Sequence, residues 1–136
     1  MVSESSSEEK ATGRKKKEAN EFGRFAEEMA AQRYINQGYT VLERGWRMGK
    51  TEIDLILQKE DTVVIVEVKA RGTNEEDALQ SVTADKRKRM IRAADHYIRG
   101  LKGQYDYRFD VVACVGDRNN YELNFFEDAF MATDIF

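Results

Sequence analysis

Between residues 51 and 71 the chain reads Thr-Glu-Ile-Asp-Leu-Ile-Leu-Gln-Lys-Glu-Asp-Thr-Val-Val-Ile-Val-Glu-Val-Lys-Ala-Arg, two strand-forming runs separated by a polar break. Such a segment folds as a β-hairpin, and this one sets two carboxylates and a lysine among strongly apolar neighbours. With the turn centred between Glu60 and Asp61, paired residues have numbers that sum to 121, which places Asp54 opposite Glu67 and Glu52 opposite Lys69. Side chains two apart on a strand share a face, so the pattern gathers all four on one side of the sheet.

Like charges directly opposed destabilise a sheet, because their Cβ atoms are only about 5 Å apart. Val63 to Val66 is apolar at successive positions, as expected for a strand covered on both faces, so the neighbouring charges are not simply solvated. Burying a carboxylate without a counter-charge costs several kcal/mol. A divalent cation between Asp54 and Glu67 would offset both costs, since Mg²⁺ is typically held by one or two carboxylates plus waters and phosphate oxygens. Lys69, two residues beyond Glu67, would point at the same spot. The plainer alternative is an edge hairpin whose charges face water, with Glu52 and Lys69 as a surface ion pair worth about 0–1 kcal/mol. A one-residue slip or a bulge would break the pairing, and no Asn-Gly turn is present to fix it.

At 136 residues the chain is long enough for one domain with a real core. It has no run near the roughly 20 apolar residues that a membrane helix needs, and no signal-peptide pattern. A cytoplasmic protein with no membrane partner is expected. Cys114 and His96 are the only residues of their kinds, which excludes disulfides and Cys/His metal clusters within one chain. Cys114, in Val-Val-Ala-Cys-Val, reads as a small core residue, and His96 is too isolated for a triad. The net charge of -3 argues against non-specific nucleic-acid binding by the whole molecule. The stretch 84–102 differs, with seven basic residues against two acidic ones, and could contact phosphates, although a solvated helix face explains such a run equally well.

Residues 1–17 lack core-forming side chains and are expected to form a disordered tail ahead of one domain spanning 18–136. A first helix is expected from about Glu18 to Gln37, with Gly38 as its stop, followed by strands near 39–47, 51–58 and 62–70. A second long helix, in one piece or two, runs to about Gly100, with Asn74 and Thr83 as candidate N-caps. Lys86 falls on its apolar stripe between Val82 and Met90, so it points inward or snorkels, while Arg87 and Lys88 face solvent. Strands near 107–115 and 121–126 complete the order α-β-β-β-α-β-β, an α/β domain with a mixed β-sheet flanked by helices.

Glu27 on the first helix, Glu52-Ile53-Asp54 on one strand and Glu67-Val68-Lys69 on the next resemble the acidic residue, aspartate and Glu-x-Lys of the restriction-endonuclease-like, or PD-(D/E)xK, nuclease superfamily. More closely, the chain resembles the bacterial YraN-like family of uncharacterised endonuclease-like proteins, itself similar to archaeal Holliday junction resolvases. The likeness extends from about Gly23 to Phe130 and includes Gly23-x-x-Ala26-Glu27-x-x-Ala30, Gly38-Tyr39, Val66-Glu67-Val68-Lys69-x-Arg71, Lys86 and Arg108-Phe109-Asp110-Val111-Val112. The family usually has Asn near position 45 and Gly before the Glu-Ile-Asp, where this chain has Gly45 and Thr51.

The resemblance implies metal-dependent hydrolysis of DNA phosphodiesters, with branched or single-stranded structures in repair or recombination as candidate substrates. Asp54, Glu67 and the Val68 carbonyl would hold Mg²⁺ or Mn²⁺, with Lys69 orienting the attacking water or stabilising developing charge. Glu27 would serve a second metal or hold a water, and Glu52 would support Lys69. Lys86, Arg71, Arg87, Lys88 and Arg89 would grip the phosphate backbone. Cutting a four-way junction would need two active sites, hence a symmetric homodimer. Two other readings stay open: a module on the same fold that binds nucleic acid without cutting it, and a protein-interaction domain whose buried charges form a structural ion-pair network.

Overall fold

The computed structural model describes residues 4–70 and 79–131, with side chains inside the first helix described from residue 19 onward. Its elements are α1 (Glu4–Asn36), β1 (Thr40–Met48), β2 (Thr51–Lys59), β3 (Thr62–Ala70), α2 (Ala84–Arg99), β4 (Asp106–Gly116) and β5 (Tyr121–Phe130). This is the α/β order α-β-β-β-α-β-β expected from the sequence. Two boundaries differ from expectation. Helical backbone extends back to Glu4, through the stretch read as a tail, and β5 continues past Phe126 to Phe130.

The five strands form one mixed sheet whose spatial order equals their chain order. Only β3 and β4 run parallel, joined by the crossover that contains α2; the other neighbours are antiparallel. The run Val63–Val66 is fully buried because β3 is the central strand and is covered on both faces.

One face packs against α1, where Ala26, Ala30, Ala31 and Tyr34 meet Leu55, Leu57, Val64, Val66, Val112 and Cys114. Three alanines on the contact stripe let the helix lie close to the sheet. The helix ends where Gly38 adopts φ +94°, a backbone state that L side chains resist, and Tyr39 N–H closes back onto the Tyr34 carbonyl at 3.1 Å. The opposite face packs against α2 through Met90, Ile91, Ala93 and Ala94, against Ile56, Ile65, Phe109 and Val111. The expected break in this helical region falls at residues 81–83, and Thr83 caps α2 with its side chain accepting from Lys86 N–H. The other candidate cap, Asn74, lies outside the described residues, as does Arg71. Cys114 is a buried core residue, as expected, and burial pushes its thiol up.

The hairpin has the expected register. Lys59 pairs with Thr62, and every pair back to Leu55 with Val66 sums to 121, across a two-residue loop in which Glu60 takes φ +54°. Regular β2–β3 pairing stops there. Asp54 lies one step beyond the last pair, at the end of the ladder, where the candidate site begins.

Candidate functional site

Asp54 takes over where the ladder ends. Its Oδ2 accepts the Val68 N–H at 2.7 Å, so a side chain occupies a donor that strand pairing would otherwise use. Glu67, one residue before that donor, is only 4 % exposed. Its Oε1 receives Lys86 Nζ at 2.5 Å and Lys69 Nζ at 3.3 Å. Its Oε2 is buried and has no hydrogen-bond partner. Glu27 reaches the cluster from α1 and Lys86 from the first turn of α2. Helices on opposite faces of the sheet thus converge at the open end of the β2–β3 pair.

The electrostatics follow from this crowding. Burial, then repulsion from Glu67 and Glu27, pushes the Asp54 carboxyl up to about 7 despite the Val68 hydrogen bond. Burial, then the charges of Glu52 and Glu67, also raises Glu27. Lys69 is lowered by burial and by the neighbouring Lys86 ammonium. For Lys86, burial works downward, but its hydrogen bond and charge contact with Glu67 raise it overall. Three carboxylates therefore compete for two ammoniums.

Glu52 does not join Lys69 as the alternation rule requires. The reason is a change of face in the β1–β2 ribbon. Leu55 packs toward α1 and Ile56 toward α2, as pleating demands, yet Ile53 also packs toward α2. On β1, Arg44 reaches Glu28 of α1 at 2.6 Å, whereas Trp46 packs in the cluster around α2. Both strands turn over between these positions, at Asp54 and at Gly45, whose φ is +57°. Glu52 is thereby carried to the α1 side, where it repels Glu27 and pairs with Arg47 at 2.7 Å. Gly and Asn are the residues that enter positive φ most readily, so Gly45 preserves the backbone state that Asn would allow.

The basic residues of α2 divide. Lys86 lies inside the cluster, taking the inward of its two expected directions. Arg87 donates to the Val82 carbonyl at 3.0 Å and lies 5.4 Å over the Phe130 ring, which ties α2 to β5. Lys88 and Arg89 are exposed. His96 is exposed and stacks on Trp46 at 6.4 Å. An open groove of about 340 Å³ on α1 is lined by Ala19, Asn20, Gly23, Arg24 and Glu27.

A second buried charge centre lies on the other face. Asp110 is 0 % exposed and accepts four hydrogen bonds: Tyr34 hydroxyl at 2.8 Å, Arg108 Nε and Nη2 at 2.8 Å each, and Asp128 N–H at 3.0 Å. Arg108 also donates to the Tyr39 hydroxyl at 3.2 Å. Arg108 and Asp110 stand within one of the sequence motifs, but the motif alone does not reveal their role. Their i, i+2 spacing on a strand was the available signal, while Tyr34 lies too far away in sequence for any spacing rule.

The matched family model, the uncharacterised protein family UPF0102, covers residues 26–114, a span that contains Glu27, Asp54, Glu67, Lys69, Lys86 and Asp110. The chain belongs to this family. A UPF0102 protein of Phocaeicola vulgatus is 36% identical over 117 residues, covering 83% of this chain and 94% of its own length. One from Nitrosomonas europaea is 42% identical over 109 residues, covering 79% and 92%, and one from Chloroherpeton thalassium is 41% identical over 119 residues, covering 80% and 92%. UPF0102 is the YraN-like family whose motifs the sequence resembles. Among the described residues, no helix is long and apolar enough to cross a membrane.

Proposed function

We propose that this UPF0102 protein is a metal-dependent nuclease of restriction-endonuclease-like type that hydrolyses DNA phosphodiesters. The observation that carries the reading is Glu67, a buried carboxylate with one oxygen under two ammoniums and the other without a partner, next to a second carboxylate driven up to about 7. A hard divalent cation is the ligand whose chemistry suits that donor set. Among the described residues no three His, Cys, Asp or Glu side chains are grouped to hold a metal, so binding would rest on Asp54 and Glu67 with the Val68 carbonyl and water. Mg²⁺ or Mn²⁺ would supply Lewis-acid charge at the phosphate.

The chain's own groups do the rest. Val68 N–H fixes Asp54 through Oδ2. Lys69, with its proton held less tightly than usual, sits where it can orient a water or neutralise developing charge. Glu27, hydrogen-bonded to Asp54, can hold a water beside it. Exposed Lys88 and Arg89, with Arg24 in the groove, offer contacts to phosphates on either approach.

The test is Mn²⁺- and Mg²⁺-dependent cleavage of labelled single-stranded, duplex, flap and four-way-junction DNA. Asp54→Ala and Lys69→Ala are expected to lower cutting by about 100-fold or more without unfolding the protein. An Asp54→Ala variant that cuts at the wild-type rate overturns the assignment. One observation favours a second reading, a structural ion-pair network, because Lys86 and Lys69 already neutralise part of the cluster. In that case Mn²⁺ shows no Asp54-dependent binding.

A further inference from the structure

Lys86 occupies an unusual place for a cation. Thr83 is the N-cap of α2, so Lys86 stands at the third helical position, where a glutamate or glutamine would complete a capping box. A positive charge there opposes the partial positive charge of the helix N-terminus. Its hydrogen bond to Glu67, at 2.5 Å, is the compensation. Its side chain is 30 % exposed, against 15 % for Lys69, so it has the freer route into water.

We infer that Lys86 is an exchangeable counter-ion: it neutralises Glu67 in the metal-free protein and leaves when a divalent cation binds. This rests on the proposal of a metal-dependent site. A divalent cation would be the third positive group against Glu67, beside Lys69 and Lys86, and would repel both. A cation on Glu67 and the N-terminus of α2 would both disfavour the Lys86 ammonium where it now sits. Lys69 is shielded and stays. The unpartnered Glu67 Oε2 gives the cation a first oxygen to engage before Lys86 departs from Oε1. Once released, the ammonium stands at the rim of the site on a long flexible stem, able to meet a substrate phosphate. The site thus stays largely neutral with or without metal.

The exchange is tested by Mn²⁺ titration and thermal unfolding of the full chain as wild type, Lys86→Met, Lys86→Arg and Asp54→Asn. Lys86→Met removes the competitor and is expected to bind Mn²⁺ roughly three- to tenfold more tightly. Lys86→Arg, whose fork can occupy both Glu67 oxygens and is harder to displace, is expected to bind it more weakly. Without metal, Lys86→Met should melt about 2–6 °C below wild type, and saturating Mn²⁺ should close that gap. Asp54-dependent Mn²⁺ binding that is unchanged or weakened in Lys86→Met overturns the exchange and leaves the metal site standing. No Mn²⁺ binding by wild type or by Lys86→Met overturns both.

Discussion

Glu67 on β3 and Asp110 on β4 are buried carboxylates at nearly the same level of the sheet, since Glu67 pairs with Val111 and Val66 with Asp110. They face opposite layers and are served differently. Asp110 has four donors spread over both oxygens, three of them from a guanidinium and a main-chain amide held in place by the strands. Glu67 has two lysine ammoniums on one oxygen and no hydrogen-bond partner on the other. A planar fork fixes geometry, whereas lysine stems allow it to change. Asp110 ties α1, β4 and β5 together, while Glu67 keeps one buried oxygen without a hydrogen-bond partner.

The sharpest way to break this contrast is to remove each anion in turn. Asp110→Ala leaves Arg108 and Tyr34 without their acceptor and is expected to cost about 3–5 kcal/mol of unfolding free energy. Glu67→Gln should cost no more than about 1–2 kcal/mol, because Lys86 can swing into water and Lys69 can release its proton. Equal losses in urea unfolding would erase the distinction.

A second prediction uses pH. Asp54 holds its proton more tightly in the folded state, at about 7, than its ordinary value of 3.8 allows. Its contribution to stability is therefore complete below about pH 4 and is lost as pH rises through about 7. Asp54→Asn should raise metal-free stability by about 1–3 kcal/mol near pH 8 and flatten the decline between those limits. Parallel melting profiles for variant and wild type, recorded in a chelator, would show that Asp54 is not the strained group. The Asp110 centre provides the smallest effect. Tyr34→Phe removes one of four donors and should lower the denaturation midpoint by the equivalent of about 1–2 kcal/mol, with Mn²⁺ binding unchanged.

The register of the hairpin was legible in the sequence because an apolar run and a short polar break leave little choice of turn position. Asp54, Glu67 and Lys69 follow from it, and Lys86 from the 3.6-residue stripe of α2. Glu52 was misplaced because alternation assumes an unbroken pleat. An isolated glycine within a strand is a sign of locally irregular backbone, and Gly45, at φ +57°, supplied it on the neighbouring strand. The Asp110 centre was hidden for another reason. It joins Tyr34 to Asp110 across 76 positions, a contact that only packing creates.

The hairpin register also governs which length changes the chain can tolerate. A residue added at the Glu60–Asp61 loop lengthens the loop and leaves every cross-strand pair intact. A residue gained or lost between Leu55 and Lys59 rotates Asp54 to the other face and separates it from Glu67. Relatives that keep this site are therefore free to vary the loop, while the strand segments on either side of it must keep their length residue for residue.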